Sequence, residues 1–297
     1  MKKTAGRWDP NDKSIYFVAS NVSTLIQASN LCDHLLIAVN ELANDEDLAA
    51  IERFAAQGKN VFIDSGVFNL ANSHAKAHDI TMDEALALAP DEIEGFSALF
   101  DRYCSLAGKF GDNLWGYIEI DQGGRENKIK TRKRLEDLGF APIPVYHPFN
   151  DGWDYFDYLG ENYDRICLGN IVQADRNTRK QLLATMWERR RKYPNLWIHV
   201  LGMTTNEWCH AYAPDSCDSS TWLSAVRWPA MAEMTALKPF TKLPANFRYR
   251  LEAEKTDPDG WNRAIQLCGY FAAMKTTTWR VMQNELRAIG CEPRLHS

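Results

Sequence analysis

Two hydrophobic periods alternate along the chain. Short apolar runs closed by Gly, Asn, Asp or Ser recur as SIYFVAS (14–20), HLLIAVN (34–40), NVFIDSG (60–66), LWGYIEID (114–121), APIPVYH (141–147), DRICLGN (164–170), LWIHVLGM (196–203) and SCDSSTW (216–222). Runs of this length, rich in branched and aromatic residues, read as strands buried on both faces. Between them apolar residues return every three or four positions in DEDLAAIERFAAQG, TMDEALALAPDEIEGFSALFDRYCSLAGKFG, ENKIKTRKRLEDLG, GWDYFDYLG and RNTRKQLLATMWERRRKY. These read as helices, several stopping at a glycine such as Gly58, Gly139 or Gly160. Buried strands separated by helices need crossover connections, so the sheet is expected to be parallel. About eight such units predict an α/β fold closed as a (β/α)8 TIM barrel. After Trp222 the pattern changes to the polar, proline-punctuated segment KPFTKLPANFRYRLEAEKTDPDG, then to a helix-rich tail from Trp261 to about Ile289. No linker composition cuts off a second domain. The expectation is one domain over 1–297, with a barrel core at about 14–235 and a helical C-terminal segment at about 236–297.

Composition changes this picture little. With 297 residues, 45% of them hydrophobic and 25% charged, the chain is long enough for a full core. Charge interrupts every apolar stretch well before the ~18 residues of a membrane helix, and MKKTAGRWDPNDKS carries no apolar signal segment. A cytoplasmic protein without a membrane partner is expected. The 7 cysteines are an odd number with no C-x-x-C pair, which argues against a disulfide framework or a cysteine-rich zinc site. Cys209, His210 and Cys217 are the nearest approach to a ligand set, and a weak one. The net charge of −5 advertises no polyanion partner. Basic runs nevertheless occur at Arg125–Arg134, at Glu188–Tyr193 and at Lys238, Lys242, Arg248 and Arg250. Each run reads first as a solvated helix face, and as a phosphate track only if the fold gathers it on one side.

Candidate chemistry lies at the strand ends, where a parallel barrel presents its active-site groups. These ends carry Asp64 with Ser65 and Gly66, Asp121 with Gln122, His147, Gly169 with Asn170, Leu201 with Gly202, and Asp218 with Ser219. Three carboxylates from three strands would converge on one mouth, where burial of acids needs a partner or a task. Singly, each acid has a structural reading: Asp64 as an N-cap, Asp121 bonded to its own DQGG turn, Asp218 as an Asx-turn acid. His147 before Pro148 reads as a packed strand-end histidine and stays outside the mechanism.

The strand ends, taken in order, look like a known family. FIDSGVF (62–68) resembles the D-S-G-G-[FY] segment of the tRNA-guanine transglycosylase superfamily. YIEID resembles its strand ending in a base-reading Asp, ICLGN its glycine-bearing strand end, HVLGM its L-M-G strand, and SCDSST its F-D-S or F-D-C segment. The five stand in the family's order between Val61 and Trp222. Within the superfamily, IKTRKRLEDLGFAPIPVYHPF and WDYFDYLGENYDRICLGNIV are most similar to the compact phage and bacterial branch that inserts 7-deazaguanine bases into DNA.

The resemblance implies Asp218 as nucleophile and Asp64 as general acid/base. Asp121 would read a guanine-like edge and Phe68 would stack on the base, while Ser65, Gly66, Gln122, Gly169, Asn170, Leu201 and Gly202 would complete the base pocket. Arg125, Lys128, Lys130, Arg132, Arg189 and Arg190 would hold the nucleic-acid backbone. The expected partners are DNA, ahead of tRNA, and a 7-cyano- or 7-aminomethyl-deazaguanine; no cofactor is expected. Homodimer and partner-subunit arrangements both stay open. Three departures stand out. Val67 replaces the second family glycine, Asn170 follows the pocket glycine, and the zinc-binding C-x-C-x-x-C…H element of the tRNA enzymes is absent. Beside base exchange stand an N-glycosidase, in which water resolves the same intermediate, a tRNA-guanine transglycosylase-like enzyme, and a barrel that binds a base or nucleic acid without turnover.

Overall fold

The computed structural model describes residues 2–204, 212–224 and 259–290. Cys209, His210, the basic positions 238–250 and most of the polar segment after Trp222 lie outside them. Eight parallel strands form one sheet: β1 (Ile15–Ala19), β2 (His34–Ala38), β3 (Asn60–Asp64), β4 (Gly116–Tyr117), β5 (Val145–Tyr146), β6 (Arg165–Leu168), β7 (Trp197–Val200) and β8 (Ser216–Ser219). Their order is β4-β3-β2-β1-β8-β7-β6-β5. The two ends meet where Ile143 N donates to Tyr117 O (2.8 Å) and Glu119 N donates to Ile143 O (3.0 Å), so the sheet closes into a (β/α)8 barrel.

The described helices are α1 (Val22–Ala28), α2 (Asp45–Ala56), α3 (Val67–His78), α4 (Met82–Ala87), α5 (Phe96–Phe110), α6 (Gly124–Asp137), α7 (Trp153–Asn162), α8 (Arg176–Arg190) and α9 (Gly260–Ala288). Local chemistry sets their ends. Asn44 with Asp47 and Thr81 with Glu84 form capping boxes on α2 and α4, and Asp175 caps α8. The single long helix expected from 81 to 111 is two, because Pro90 disfavours helical backbone at Ala89 and α4 ends just before it. The C-terminal tail packs on the barrel: Tyr16 N donates to Thr276 Oγ1 (3.0 Å), and Ala264, Cys268, Ala272 and Trp279 join the main core cluster.

Alternate residues of each strand face inward. Ile15, Phe17, Leu36, Phe62, Trp115, Ile143, Val145, Cys167 and Trp197 fill the barrel with a second, separate cluster. At the N-terminal end of the strands Trp8 packs on Trp197 (5.9 Å between ring centroids). There the buried Arg165 guanidinium donates to Thr4 Oγ1, Trp115 O and Ala5 O. These side chains plug this end of the barrel axis. No helix among the described residues is long and apolar enough to cross a membrane.

Candidate functional site

The strand β3 stops at Asp64, and Ser65 and Gly66 turn the chain into α3. Gly66 is the N-cap of α3 at φ +82°, and no side chain caps that helix. Asp64 is therefore not an N-cap. The backbone itself requires Gly66: a Cβ there would stand 2.7 Å from Asn40 Oδ1 in a left-handed backbone. Free of a capping duty, the Asp64 carboxyl faces the other two acids. Burial, then the charges of Asp121 and Asp218, push its pKa up to about 7, against smaller opposing bonds from the Gly66 and Ser65 N–H groups.

Asp121 lies in the opposite electrostatic state. Burial pushes its carboxyl up, but the hydrogen bond and charge of His147, with Lys128 behind, outweigh burial and hold it below the usual carboxylate range. His147 Nε2 lies 3.0 Å from Asp121 Oδ2, and Ser65 Oγ donates to Oδ1 at 3.3 Å. The histidine left aside on sequence grounds is thus the main partner of the middle acid. Its ring has room because residue 169 is glycine: a Cβ there would fall 2.6 Å from His147 Cδ2. Gly169 acts on the pocket by admitting His147.

Asp218, in β8, accepts from Gly202 N at 2.9 Å and is 3.1 Å from His199 Nε2, both on Oδ1. Held within a strand by a neighbouring strand and its loop, it is not an Asx-turn acid. Phe68 exposes 60% of its surface in the first turn of α3, free for a stacking contact. Asn170 sits at φ +50° with Oδ1 buried and without a partner among the described residues, Leu201 is half-buried against the barrel interior, and Gly202 is exposed.

Four residues placed at the site or on a phosphate track by sequence lie elsewhere. Gln122 is fully buried: its Nε2 donates to the Ala85, Leu86 and Leu88 carbonyls and ties the β4 loop to the end of α4, while its Oε1 has no partner among the described residues. Lys128 and Arg132 are on the inward face of α6: Lys128 pairs with Asp151 (2.5 Å), and Arg132 pairs with Glu119 (2.8 Å) and donates to Tyr155 Oη (2.9 Å). Arg190 pairs with Asp215 (2.5 Å) just before β8, at the plugged end. None of the three cations is more than 3% exposed, so none reaches a polymer backbone. Arg125 and Arg189 keep partial exposure but are engaged with Asp154 and Asp157. Lys130 stays exposed.

Burial gives Lys128 another task. Asp151 Oδ2 accepts from both Lys128 Nζ and His147 N (2.7 Å), so the pair anchors the backbone of the residue that holds Asp121. Lys128→Met strands a buried carboxylate and is expected to cost roughly 3–5 kcal/mol of stability in urea unfolding. Lys130→Met on the outer face should stay within about 0.5 kcal/mol. Equal effects would contradict this assignment.

No protein-family model matches the sequence, and no curated protein matches it. Among solved structures, tryptophan synthase from M. tuberculosis in an aminoacrylate- and BRD0059-bound form is 11% identical, with TM-score 0.43 over 89% of this chain and 92% of that one. The carboxyl transferase domain of Rhizobium etli pyruvate carboxylase, with 3-bromopyruvate, is 13% identical, with TM-score 0.42 over 96% of this chain and 51% of that one. Likeness at this level says nothing about chemistry. The barrel is established by its own strand pairing, and function has to be argued from the mouth.

Proposed function

We propose that the protein exchanges guanine in a polynucleotide, DNA ahead of tRNA, for a 7-deazaguanine base through a covalent intermediate on Asp218. The observation that carries this reading is the unequal trio of acids: Asp64 with a pKa raised to about 7, beside Asp121 held ionised and Asp218 held by two neighbours. Displacement of a purine at C1′ needs a carboxylate nucleophile and a second group that gives up a proton in one half-reaction and recovers it in the next. A carboxyl with a pKa near 7 populates both forms at neutral pH.

In the first half-reaction Asp218 Oδ2 bonds to C1′, the C1′–N9 bond breaks, and the departing guanine takes the Asp64 proton. In the second, the ring N–H of the incoming base returns a proton to Asp64 as its nitrogen bonds to C1′ and the ester C1′–O bond breaks. The anionic Asp121 suits the N–H groups of a guanine-like Watson–Crick edge, and would reject adenine at that edge. To reach Asp218 the nucleotide must leave the stack, where Phe68 offers a face. The resemblance of the five strand ends supports the substrate class, and that of IKTRKRLEDLGFAPIPVYHPF and WDYFDYLGENYDRICLGNIV, with the absent zinc element, supports the preference for DNA.

The test is release of labelled guanine from DNA and, separately, from tRNA, with and without the 7-cyano- or 7-aminomethyl-deaza base. Multiple-turnover release from DNA that depends on the deaza base is expected. Release beyond one equivalent per protein without any added base would establish hydrolysis instead, and no release from either polymer would remove the enzyme reading.

A further inference from the structure

A histidine lies inside the barrel among aromatic side chains. His199, in β7, is 0% exposed one layer below the acids. Its ring is walled by Phe62 (5.0 Å, 73°), Phe17 (5.8 Å, 80°) and Trp197 (6.2 Å, 5°), which leave it one orientation. Both nitrogens find partners: Nδ1 lies 2.5 Å from Ser216 Oγ, and Nε2 lies 3.1 Å from Asp218 Oδ1. Buried ring nitrogens need such partners, and which one carries the proton is set by what the other accepts.

We propose that His199 is a positioning residue for Asp218: the Ser216 hydroxyl donates to Nδ1, fixes the Nε2–H tautomer, and that N–H holds Oδ1 so that Oδ2 is the attacking oxygen. This rests on the reading of Asp218 as nucleophile. Both hydrogen bonds that Asp218 accepts from described residues, from His199 and from Gly202 N, fall on Oδ1. A carboxylate held by one oxygen presents the other in a fixed direction, which is the advantage of a near-attack geometry. When Oδ2 bonds to C1′, Oδ1 becomes the ester carbonyl and keeps both donors. When the incoming base displaces the ester, negative charge returns to the carboxylate against two preset N–H groups. His199 exchanges no proton in either half-reaction, so the same tautomer serves both.

A ring that merely filled the core would be replaced best by Phe. The positioning role predicts the opposite order, because Gln offers one N–H to Asp218 and one acceptor to Ser216 while Phe offers neither. The rate of covalent adduct formation on guanine-containing DNA is expected to fall ~10²–10³-fold in His199→Phe, the loss seen when one preset donor is removed. In His199→Gln it is expected within about tenfold of wild type, with KM changed by no more than about threefold in either variant. A His199→Phe protein that forms adduct as fast as wild type, or faster than His199→Gln, overturns the proposal. The second measurement needs no substrate. In 15N-histidine-labelled protein, with His199→Gln used to assign the signal, Nδ1 of His199 is expected to be unprotonated and Nε2 protonated, and Ser216→Ala to mix the two tautomers. A proton resident on Nδ1 with a bare Nε2 also overturns it. Absence of any adduct in wild type would fall on the exchange reading, and the tautomer would still decide the role of His199.

Discussion

Asp218→Asn lowers base exchange by at least ~10³-fold and abolishes the covalent protein–polymer adduct, since an amide is a poor nucleophile and loss of the group that bonds to substrate removes the step itself. Folding should survive the change. The amide oxygen of Asn can occupy the Oδ1 position and keep the bonds from Gly202 N and His199 Nε2, which lie 2.9 and 3.1 Å from Oδ1 in the wild type. The variant should therefore unfold in urea within about 1 kcal/mol of wild type. Activity and stability separate cleanly at this position, and an Asp218→Asn protein exchanging bases at the wild-type rate would sink the mechanism.

Asp64→Asn has two effects of opposite sign. Exchange should fall ~10²–10⁴-fold, the usual contribution of a general acid/base. Stability should rise at high pH. The folded pKa of Asp64 is about 7 against an ordinary value of 3.8, so between those limits the folded protein holds a proton that the unfolded chain has released. The contribution of Asp64 is thus fully favourable below the unfolded pKa, is lost as pH rises towards 7, and is absent above it. Asparagine never ionises and escapes that loss. Urea unfolding should show the variant more stable than wild type by roughly 2–4 kcal/mol at pH 8, shrinking towards zero near pH 4. Parallel pH dependences in the two proteins would show that Asp64 is not strained by its neighbours.

Much of this was legible in the strings of residues. All eight apolar runs are strands or contain one, because a parallel barrel buries both faces and leaves continuous hydrophobic segments. The runs at 114–121 and 141–147 shrink to Gly116–Tyr117 and Val145–Tyr146 as regular strand, since the closing seam between them is a single bridge at Ile118 and Ile143. α1 and α3 were hidden. Their turns carry Ser, Thr, Asn and His among the apolar residues, and both helices lie close behind a strand end that draws the eye first.

The acids at the strand ends stood out because a carboxylate after a buried strand is conspicuous. The histidines did not, although His199 shares its parity in WIHV with Trp197, which faces inward, and so was placed by period two on the same face. His147 depended on a glycine at the end of the next strand, and no spacing rule reports that a Cβ at 169 would exclude a ring. The basic run at 125–134 misled for a related reason. Lys128, Thr131, Arg132 and Leu135 recur at helical spacing and form the buried face of α6. Charge counted along a sequence does not distinguish a cation in solvent from one paired inside the wall.

The most direct test of the account is a trapped intermediate. Wild-type protein is incubated with guanine-containing DNA and, in parallel, tRNA without any incoming base, quenched in acid, digested and mapped by mass spectrometry. The account predicts a sugar-linked adduct on the peptide carrying Asp218, formed together with stoichiometric guanine release and cleared when the 7-deazaguanine base is added before the quench. Guanine release with no adduct at Asp218, or an adduct on Asp64 or Asp121 instead, would contradict it.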